Sequence, residues 1–166
     1  KLALFSMPVH MPDRNLADAL SEDRELVILA DQLGFSEAWM GEHFTSLGEP
    51  VPSPLIFNAS LLDAAPNIRL GTGVLCLPQQ HPAVVAAHVA LLDQLSRGRV
   101  IFGIGSGGLS SDWEIFDVMD HAQRGKSMVE SIDAILRLWS EDPPFHIEGE
   151  TRSFGVQDHI IPEIGL

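Results

Sequence analysis

The sequence predicts an α/β fold built on a parallel sheet, and three observations lead to this prediction. Four short apolar segments with strand character each precede a segment with helical periodicity. The strand segments begin near residues 2, 36, 68 and 99, a spacing of roughly 31 to 35 residues that matches one βα unit. Regular alternation of strand and helix is typical of parallel strands joined by right-handed crossovers.

The first βα unit consists of a strand at residues 2–6 and a helix that ends at Gly34. We predict Ser21 as the N-cap of this helix, followed by Glu22 and Asp23 in the first turn, because acidic side chains are favoured at the positive end of the helix dipole. The residues at helical spacing that should face the sheet are Leu26, Leu29, Ala30 and Leu33.

The remaining units follow the same scheme. Further strands are predicted at residues 36–41, 68–75 and 100–104. Further helices are predicted at residues 53–65, at residues 82–98, and around Met128, Ile132, Ile135, Leu136 and Trp139. Ser53 followed by Pro54 indicates a helix start, because serine caps the free N–H groups and proline suits the first helical position. Residues 110–113 are predicted as loop, with the next helix beginning near His121.

Four βα units fit either a doubly wound sheet or the first half of an (β/α)8 barrel of the TIM type. A complete barrel needs about 250 residues, whereas the chain has 166. An open half-barrel would expose edge strands and apolar helix faces, which indicates a fragment or self-association. We therefore predict a single domain over 1–166 that holds the N-terminal half of a barrel, with residues 145–166 as an excursion or tail that begins with a short hairpin at 145–150.

Composition excludes several classes of partner. The chain has 23 acidic and 10 basic residues and a formal net charge of −13, so it should repel nucleic acid and anionic membrane surfaces. No apolar run approaches the roughly 20 residues that a membrane-spanning helix requires. The single cysteine, Cys76, cannot form an internal disulfide, which fits a reducing compartment. These observations predict a cytoplasmic protein that binds neither nucleic acid nor membrane.

A glycine-rich loop follows the fourth strand. Gly103, Gly105 and Gly108 spell the G-x-G-x-x-G pattern of dinucleotide-binding folds. That fingerprint belongs to the first βα unit and requires a helix that begins at the glycines, with an acid after the next strand. Here the loop follows the fourth strand instead, so it is interpreted as a wall of a barrel mouth that lines another cofactor, or as a tight turn.

The ends of the strands carry the candidate reactive residues, because active sites of α/β barrels lie at the carboxyl ends of their strands. Glu42 and His43 follow the second strand, and histidine serves as an acid or base near neutral pH. The alternative for His43 is a loop histidine hydrogen-bonded to backbone. Gly71 and Gly73 lie within the third strand, where glycine indicates a bulge, a bound ligand or a close helix contact. His10, His81 and His88 have no metal-ligand spacing with a carboxylate, so no metal site is predicted.

Several of these segments resemble one known family. In chain order the matching segments are GFSEAWMGEHF (34–44), IRLGTGV (68–74), HP (81–82) and LLDQLSRGRVIFGIGSGG (91–108). Together they resemble the luciferase-like flavin-dependent monooxygenases, in particular the limonene-monooxygenase-like branch. The resemblance covers residues 2 to about 150 and implies a TIM barrel with the flavin at its C-terminal mouth.

The resemblance also implies roles for individual residues. His43 matches the strand-2 histidine that faces the flavin in several relatives and would be catalytic, although the catalytic histidine of bacterial luciferase falls one position earlier, at Glu42. A cis peptide bond outside proline is implied at Gly73–Val74. The implied cofactor-binding residues are Glu42, Gly73, Val74, Gly105 and Ser106. Bacterial luciferase has a phosphate-binding arginine where this chain has Ser106.

The implied activity is that of a two-component monooxygenase. Reduced FMN from a partner reductase would react with O2 to form a C4a-hydroperoxide, which then oxygenates a small organic substrate. A homo-oligomer is the expected assembly. The alternatives are hydride transfer with the deazaflavin F420, disfavoured because some F420 enzymes need an acid at Gly108, and a non-enzymatic flavin-binding paralogue.

Overall fold

The computed structural model describes residues 1–158 as alternating strands and helices followed by a hairpin. The helices are α1 (Leu16–Gln32), α2 (Pro54–Ala59), α3 (Pro82–Ser96), α4 (Ser110–Ile115) and α5 (His121–Ser140), with a 3-10 turn at Leu77–Gln79. The strands are β1 (Ala3–Ser6), β2 (Glu37–Met40), β3 (Arg69–Thr72), β4 (Leu75–Cys76), β5 (Val100–Ile101), β6 (Ile104–Gly105), β7 (Phe145–Ile147) and β8 (Phe154–Val156).

A parallel sheet in the order β1-β2-β3-β5 forms the centre of the fold, as the sequence predicts. Beyond it, β4 pairs with β6 in the same parallel sense. The strands predicted at 68–75 and 100–104 are therefore each interrupted, at residues 73–74 and 102–103. The Thr72 hydroxyl joins the two interruptions, since it donates to the Gly103 carbonyl (2.6 Å) and accepts from the Gly103 N–H (2.9 Å). A side chain thus takes the place of the missing strand hydrogen bonds.

The first helix differs from its prediction at its start. It begins at Leu16, and its N-cap is Asn15, whose side-chain oxygen accepts hydrogen bonds from the backbone N–H groups of Ala17 and Asp18. Ser21 lies inside the helix. Asparagine caps a helix as well as serine does, and the acidic residues after Ser21 belong to later turns of the helix rather than to its first turn.

The predicted apolar stripe of α1 is also wrong for three of its four residues. Leu26, Leu29 and Leu33 are 45%, 49% and 67% exposed, whereas Ala30 is buried. The buried face instead contains the small residues Ala19, Val27 and Ala30 together with Asp23 and Asp31. Carboxylates on the buried face break the hydrophobic periodicity from which the orientation of the helix was predicted.

One of those buried carboxylates, Asp31, connects the helix to the start of β3. Asp31 accepts hydrogen bonds from the backbone N–H groups of Asn67 (3.0 Å) and Ile68 (2.5 Å) and from the Asn67 side chain. On the neighbouring strand, the Arg99 guanidinium donates to the carbonyl oxygens of Leu62, Ala65 and Ile68. The buried carboxylate of Asp31 is tolerated because it is hydrogen-bonded, whereas the guanidinium of Arg99 is half-buried. The start of β3 is therefore positioned from both sides.

The hydrophobic core lies between the outer face of the sheet and the helices, in two clusters. The first contains Met40, Leu61, Ile68 and Leu70, and the second joins α3 and α5 around Leu75 and neighbouring residues. The inner face of the sheet carries Phe5 and Trp39, and the Trp39 ring lies directly over Gly71 and Gly103. Glycine at these positions leaves the space that the indole ring occupies.

Three other boundaries differ from the predictions. Helix α2 ends at Ala59 rather than near Ala65, and residues 110–113, predicted as loop, begin the short helix α4. The predicted hairpin at 145–150 forms, but its strands β7 and β8 extend it to Val156. Residues 159–166 of the predicted tail lie outside the described part of the chain. Within the described part, none of the helices is long and apolar enough to cross a membrane.

Candidate active site

The carboxyl ends of the central strands lie at one edge of the sheet because the strands are parallel. Gly73–Val74, at the end of β3, is a cis peptide bond, as the resemblance implied. The Val74 side chain lies against Gly105 of β6, where a Cβ on the glycine would be 2.6 Å from Val74 Cγ2. The structure thus brings Gly73, Val74 and Gly105 together, with Ser106 directly after them. These residues form a backbone-rich surface at the mouth.

Glu42 lies at the end of β2 and is only 4% exposed. Its Oε2 accepts a hydrogen bond from the Cys76 backbone N–H (2.8 Å), and its Oε1 accepts one from the Gln80 side chain (3.0 Å). Burial raises the pKa of Glu42 to about 7, partly opposed by these hydrogen bonds. Burial also raises the pKa of the Cys76 thiol to about 12, so the thiol stays protonated and is unsuited to nucleophilic chemistry. Glu42 connects the end of β2 to the segment beyond β4.

Replacing Glu42 with glutamine should remove a pH dependence of stability. The folded protein binds a proton at Glu42 more tightly than the unfolded chain does, because the pKa rises from 4.5 to about 7 on folding. The stability from this group is therefore complete below pH 4.5 and is lost as the pH rises through 7, by on the order of 3 kcal/mol. Urea unfolding at pH 5 and pH 8 measures this difference.

A matched control for this experiment is Glu114→Gln, on the exposed side of α4. The free energy of unfolding of the wild type and of the control should decrease from pH 5 to pH 8. The decrease should be smaller in Glu42→Gln. An equal pH slope in Glu42→Gln and in the wild type would contradict the assignment.

His43 lies between two carboxylates. Its Nδ1 is 3.1 Å from Oδ2 of Asp112, and its Nε2 is 3.6 Å from Oε2 of Glu49. Its backbone N–H donates to the Val51 carbonyl oxygen (3.0 Å). The alternative predicted for this histidine, a hydrogen bond from the ring to backbone, does not apply. The ring instead pairs with Asp112, a residue that the sequence analysis did not single out.

Behind the glycine loop, several buried polar atoms have no hydrogen-bond partner in the described structure. They are both amide atoms of Gln79, the indole Nε1 of Trp113 and Nε of Arg124. Gly107, with a left-handed φ of +89°, brings the loop backbone against two of them, since a Cβ there would be 3.0 Å from Trp113 Nε1 and 3.1 Å from Gln79 Nε2. Unpartnered buried donors are rare in native proteins, and three of these four atoms are donors: Gln79 Nε2, Trp113 Nε1 and Arg124 Nε.

Arg124 supplies a positive charge next to this group. Its guanidinium carbon lies 3.7 Å from the centre of the Trp113 ring, and its Nη1 donates to the carbonyl oxygens of Val118 and Met119. Sequence reasoning missed Arg124 because an arginine in the first turn of an amphipathic helix is usually exposed. No local sequence signal marks it, because Arg124 lies sixteen positions after Gly108, the last residue of the glycine pattern.

The strand order and the parallel βα units define the class of protein: an α/β chain that forms part of an (β/α)8 barrel. The model of the luciferase-like monooxygenase family matches residues 1–164. The chain belongs to this family, which confirms the resemblance seen in the sequence.

Individual relatives agree with this assignment. The chain is 39% identical to limonene 1,2-monooxygenase of Rhodococcus erythropolis over 95% of its own length and 41% of the relative. It is 34% identical to the oxygenase component of a flavin-dependent trigonelline monooxygenase of Acinetobacter baylyi, over 83% of the chain and 40% of the relative. The chain therefore spans about two fifths of the length of the curated relatives that it matches.

Solved structures confirm the fold. The oxygenating constituent of 3,6-diketocamphane monooxygenase from Pseudomonas putida, solved with FMN, superposes with a TM-score of 0.90 at 23% identity, covering 98% of this chain and 46% of that one. Monooxygenase RslO1 from Streptomyces bottropensis superposes with a TM-score of 0.87 at 28% identity, covering 95% and 48%. The half-barrel prediction is thereby confirmed as the architecture of this chain.

Proposed function

We propose that the protein acts as the oxygenase component of a flavin-dependent monooxygenase that uses reduced FMN and O2 to oxygenate a small organic substrate. The observation that carries the proposal is the 39% identity to a limonene monooxygenase over 95% of the chain. A second relative, named as an oxygenase component, supports a separate reductase that supplies the reduced flavin. The free, buried thiol of Cys76 supports a reducing, cytoplasmic setting.

The residues at the mouth fit FMN. The backbone at Gly73–Val74 and Gly105 offers a surface with little side-chain bulk, against which a flat ring system can lie. The unpartnered donors of Gln79 and Trp113, with Arg124 beside them, suit an anionic group rich in acceptor oxygens. Bound reduced FMN would supply the electrons that activate O2. Within this proposal, the mouth residues hold the flavin, the surrounding apolar side chains exclude water, and His43 transfers a proton.

An anaerobic titration of the encoded protein with reduced FMN, followed by fluorescence, tests cofactor choice. A parallel titration with reduced F420 tests the hydride-transfer alternative. We expect saturable binding of reduced FMN and weaker binding of F420. Turnover is then measured with an added flavin reductase, NADH, limonene as a probe substrate and 18O-labelled O2, and we expect one labelled oxygen atom in the product.

Each of the other outcomes contradicts the proposal in a different way. Preference for F420 together with oxygen-independent oxidation would support the deazaflavin alternative. Absence of binding to either cofactor would contradict the flavin-dependent function and the flavin-binding alternative together. Binding of FMN without incorporation of labelled oxygen into any of a panel of small organic substrates would contradict the monooxygenase assignment alone.

We also propose that two copies associate through the outer faces of α2 and α3. Helix α3 has one charged residue, Asp93, among its fifteen residues, and it exposes Val84, Leu91 and Leu95 along one side. Together with α2 these side chains border a groove of about 450 Å³. In a (β/α)8 barrel the helices form the outer ring, so this side of α2 and α3 faces away from the strands. Each copy is strongly acidic, so two copies repel each other. The repulsion is weakest where the outer faces of α2 and α3, which are almost free of charge, meet.

Replacing Leu91 and Leu95 together with glutamate should therefore lower the oligomeric state of the protein. The introduced carboxylates would be buried against an apolar partner surface, which is unfavourable unless the copies separate. Light scattering coupled to size-exclusion chromatography measures the mass. Val129→Glu, at an exposed apolar position on α5, is the control and should leave the mass unchanged. The same mass for all three proteins would refute this surface.

A further inference from the structure

Asp112 joins helix α4 to the segment that carries His43, and its two carboxylate oxygens have different partners. Oδ1 accepts three hydrogen bonds, from the backbone N–H groups of Phe44 (3.1 Å) and Thr45 (2.8 Å) and from the Thr45 hydroxyl (2.6 Å). Oδ2 has the His43 ring, at 3.1 Å from Nδ1. Asp112 is only 2% exposed, so water hardly competes for these contacts.

We propose that Asp112 is a positioning residue that holds His43 as the Nδ1–H tautomer and leaves Nε2 as the ring nitrogen that accepts a proton. An ionised carboxylate has no proton to donate, so Nδ1 must be the donor in this contact. A neutral imidazole carries one ring proton, and Nε2 therefore keeps its lone pair. The role in turnover rests on the proposed function, whereas the tautomer is a property of the chain alone.

Asp112 is ionised under ordinary conditions. Burial alone would raise its pKa, but the hydrogen bonds from Thr45, His43 and Phe44 outweigh burial and hold the pKa below its usual value. Glu49 is the charged group that faces Nε2, at 3.6 Å, which is longer than a hydrogen bond. The hydrogen bond with Asp112, and not the contact with Glu49, therefore fixes the orientation of the His43 ring.

The arrangement also predicts what an amide at position 112 would do. Three donors converge on Oδ1, so the single oxygen of an asparagine has to occupy that side. Its NH2 group then faces Nδ1 of His43, and two donors cannot share a hydrogen bond. Asp112→Asn should therefore keep the tie to Phe44 and Thr45 while forcing His43 into the Nε2–H tautomer. A purely structural role for Asp112 would leave the tautomer unchanged.

The experiment is 15N NMR of the encoded protein with labelled histidine, recorded at a pH where the ring of His43 is neutral. His43→Asn identifies its signals. In the wild type we expect the ring proton on Nδ1, and in Asp112→Asn on Nε2. Turnover in the reductase-coupled assay should fall by about 10²- to 10⁴-fold in kcat with the FMN dissociation constant unchanged. Thr45→Val, which removes one donor to Oδ1 and leaves the His43 contact intact, should retain the Nδ1–H signal and turnover close to wild type.

Several outcomes would overturn the proposal. An Nε2–H signal in the wild type refutes it without any variant, and this result stands even if Asp112→Asn fails to fold. An Nδ1–H signal retained in a folded Asp112→Asn protein also refutes it, as does normal kcat in that variant. If the wild type shows Nδ1–H but no oxygenase activity with any cofactor, the proposed function fails while the positioning of His43 by Asp112 stands.

Discussion

His43→Ala should reduce turnover of the encoded protein by about 10²- to 10⁴-fold, the usual contribution of a positioned acid or base. His43 follows Glu42 in the segment after β2 at the mouth, and its ring is held by Asp112. Alanine removes the imidazole that is proposed to transfer the proton. The measurement is kcat with reduced FMN regenerated by a reductase, together with the FMN dissociation constant, which should change little.

Alanine also leaves the buried carboxylate of Asp112 without its ring partner, so a loss of activity could reflect a disturbed loop. His43→Asn separates the two effects, because an asparagine NH2 group can still donate to Asp112 but cannot act as an acid or base near neutral pH. We expect His43→Asn to fold and bind FMN like the wild type and to be as inactive as His43→Ala. Turnover near the wild-type level in His43→Asn would exclude a catalytic role for the ring.

Gly103→Ala should destabilise the fold by about 3 kcal/mol or more, at the upper end of the range for overpacking. A Cβ at this position would overlap the Thr72 carbonyl oxygen and would contact the Trp39 ring at 3.1 Å. The carbonyl belongs to a paired strand and cannot move aside without breaking the contacts between β3 and β5. Urea unfolding followed by circular dichroism measures the loss, and the extreme outcome is a protein that is insoluble when expressed.

Gly108→Ala, at the other end of the same glycine pattern, is the matched control. A Cβ at Gly108 would meet no atom within 4 Å, so its free energy of unfolding should stay within about 0.5 kcal/mol of the wild type. If Gly103→Ala and Gly108→Ala have equal free energies of unfolding, the close approach of Thr72 to Gly103 does not restrict residue 103 to glycine.

The order of strands and helices could be predicted from the sequence because local signals and tertiary structure agree there. Ser53–Pro54 begins α2 as predicted, and Gly34 and Gly98 follow α1 and α3 with positive φ, as glycine commonly does beyond a helix end. Helix α1 shows where such reasoning stops. Its buried face includes Asp23 and Asp31, and the partners of Asp31 are residues 67 and 68, which no local pattern can identify.

Some residues of the candidate site could also be predicted from the sequence, and others could not. Gly73, Val74 and Gly105 were predicted together because parallel strands end at one edge, and the structure brings them into contact. Asp112 and Arg124 were not predicted, since the contacts of Asp112 with residues 43–45 cross nearly seventy positions and Arg124 is buried only through its neighbours. Single residues far apart in sequence meet through packing, which a linear pattern does not record.

The hydroxyl of Thr72 has a consequence for natural and engineered variants of this protein. Two neighbouring strands are interrupted here, at residues 73–74 and 102–103. The Thr72 hydroxyl makes the two hydrogen bonds to Gly103 that a strand backbone would otherwise make. Valine, similar in shape, would leave both the N–H and the carbonyl of Gly103 without this partner, whereas serine could retain both bonds. A mutational library directed at the mouth should therefore hold position 72 to the two hydroxyl amino acids, even though the residue is fully buried and offers no surface to a ligand.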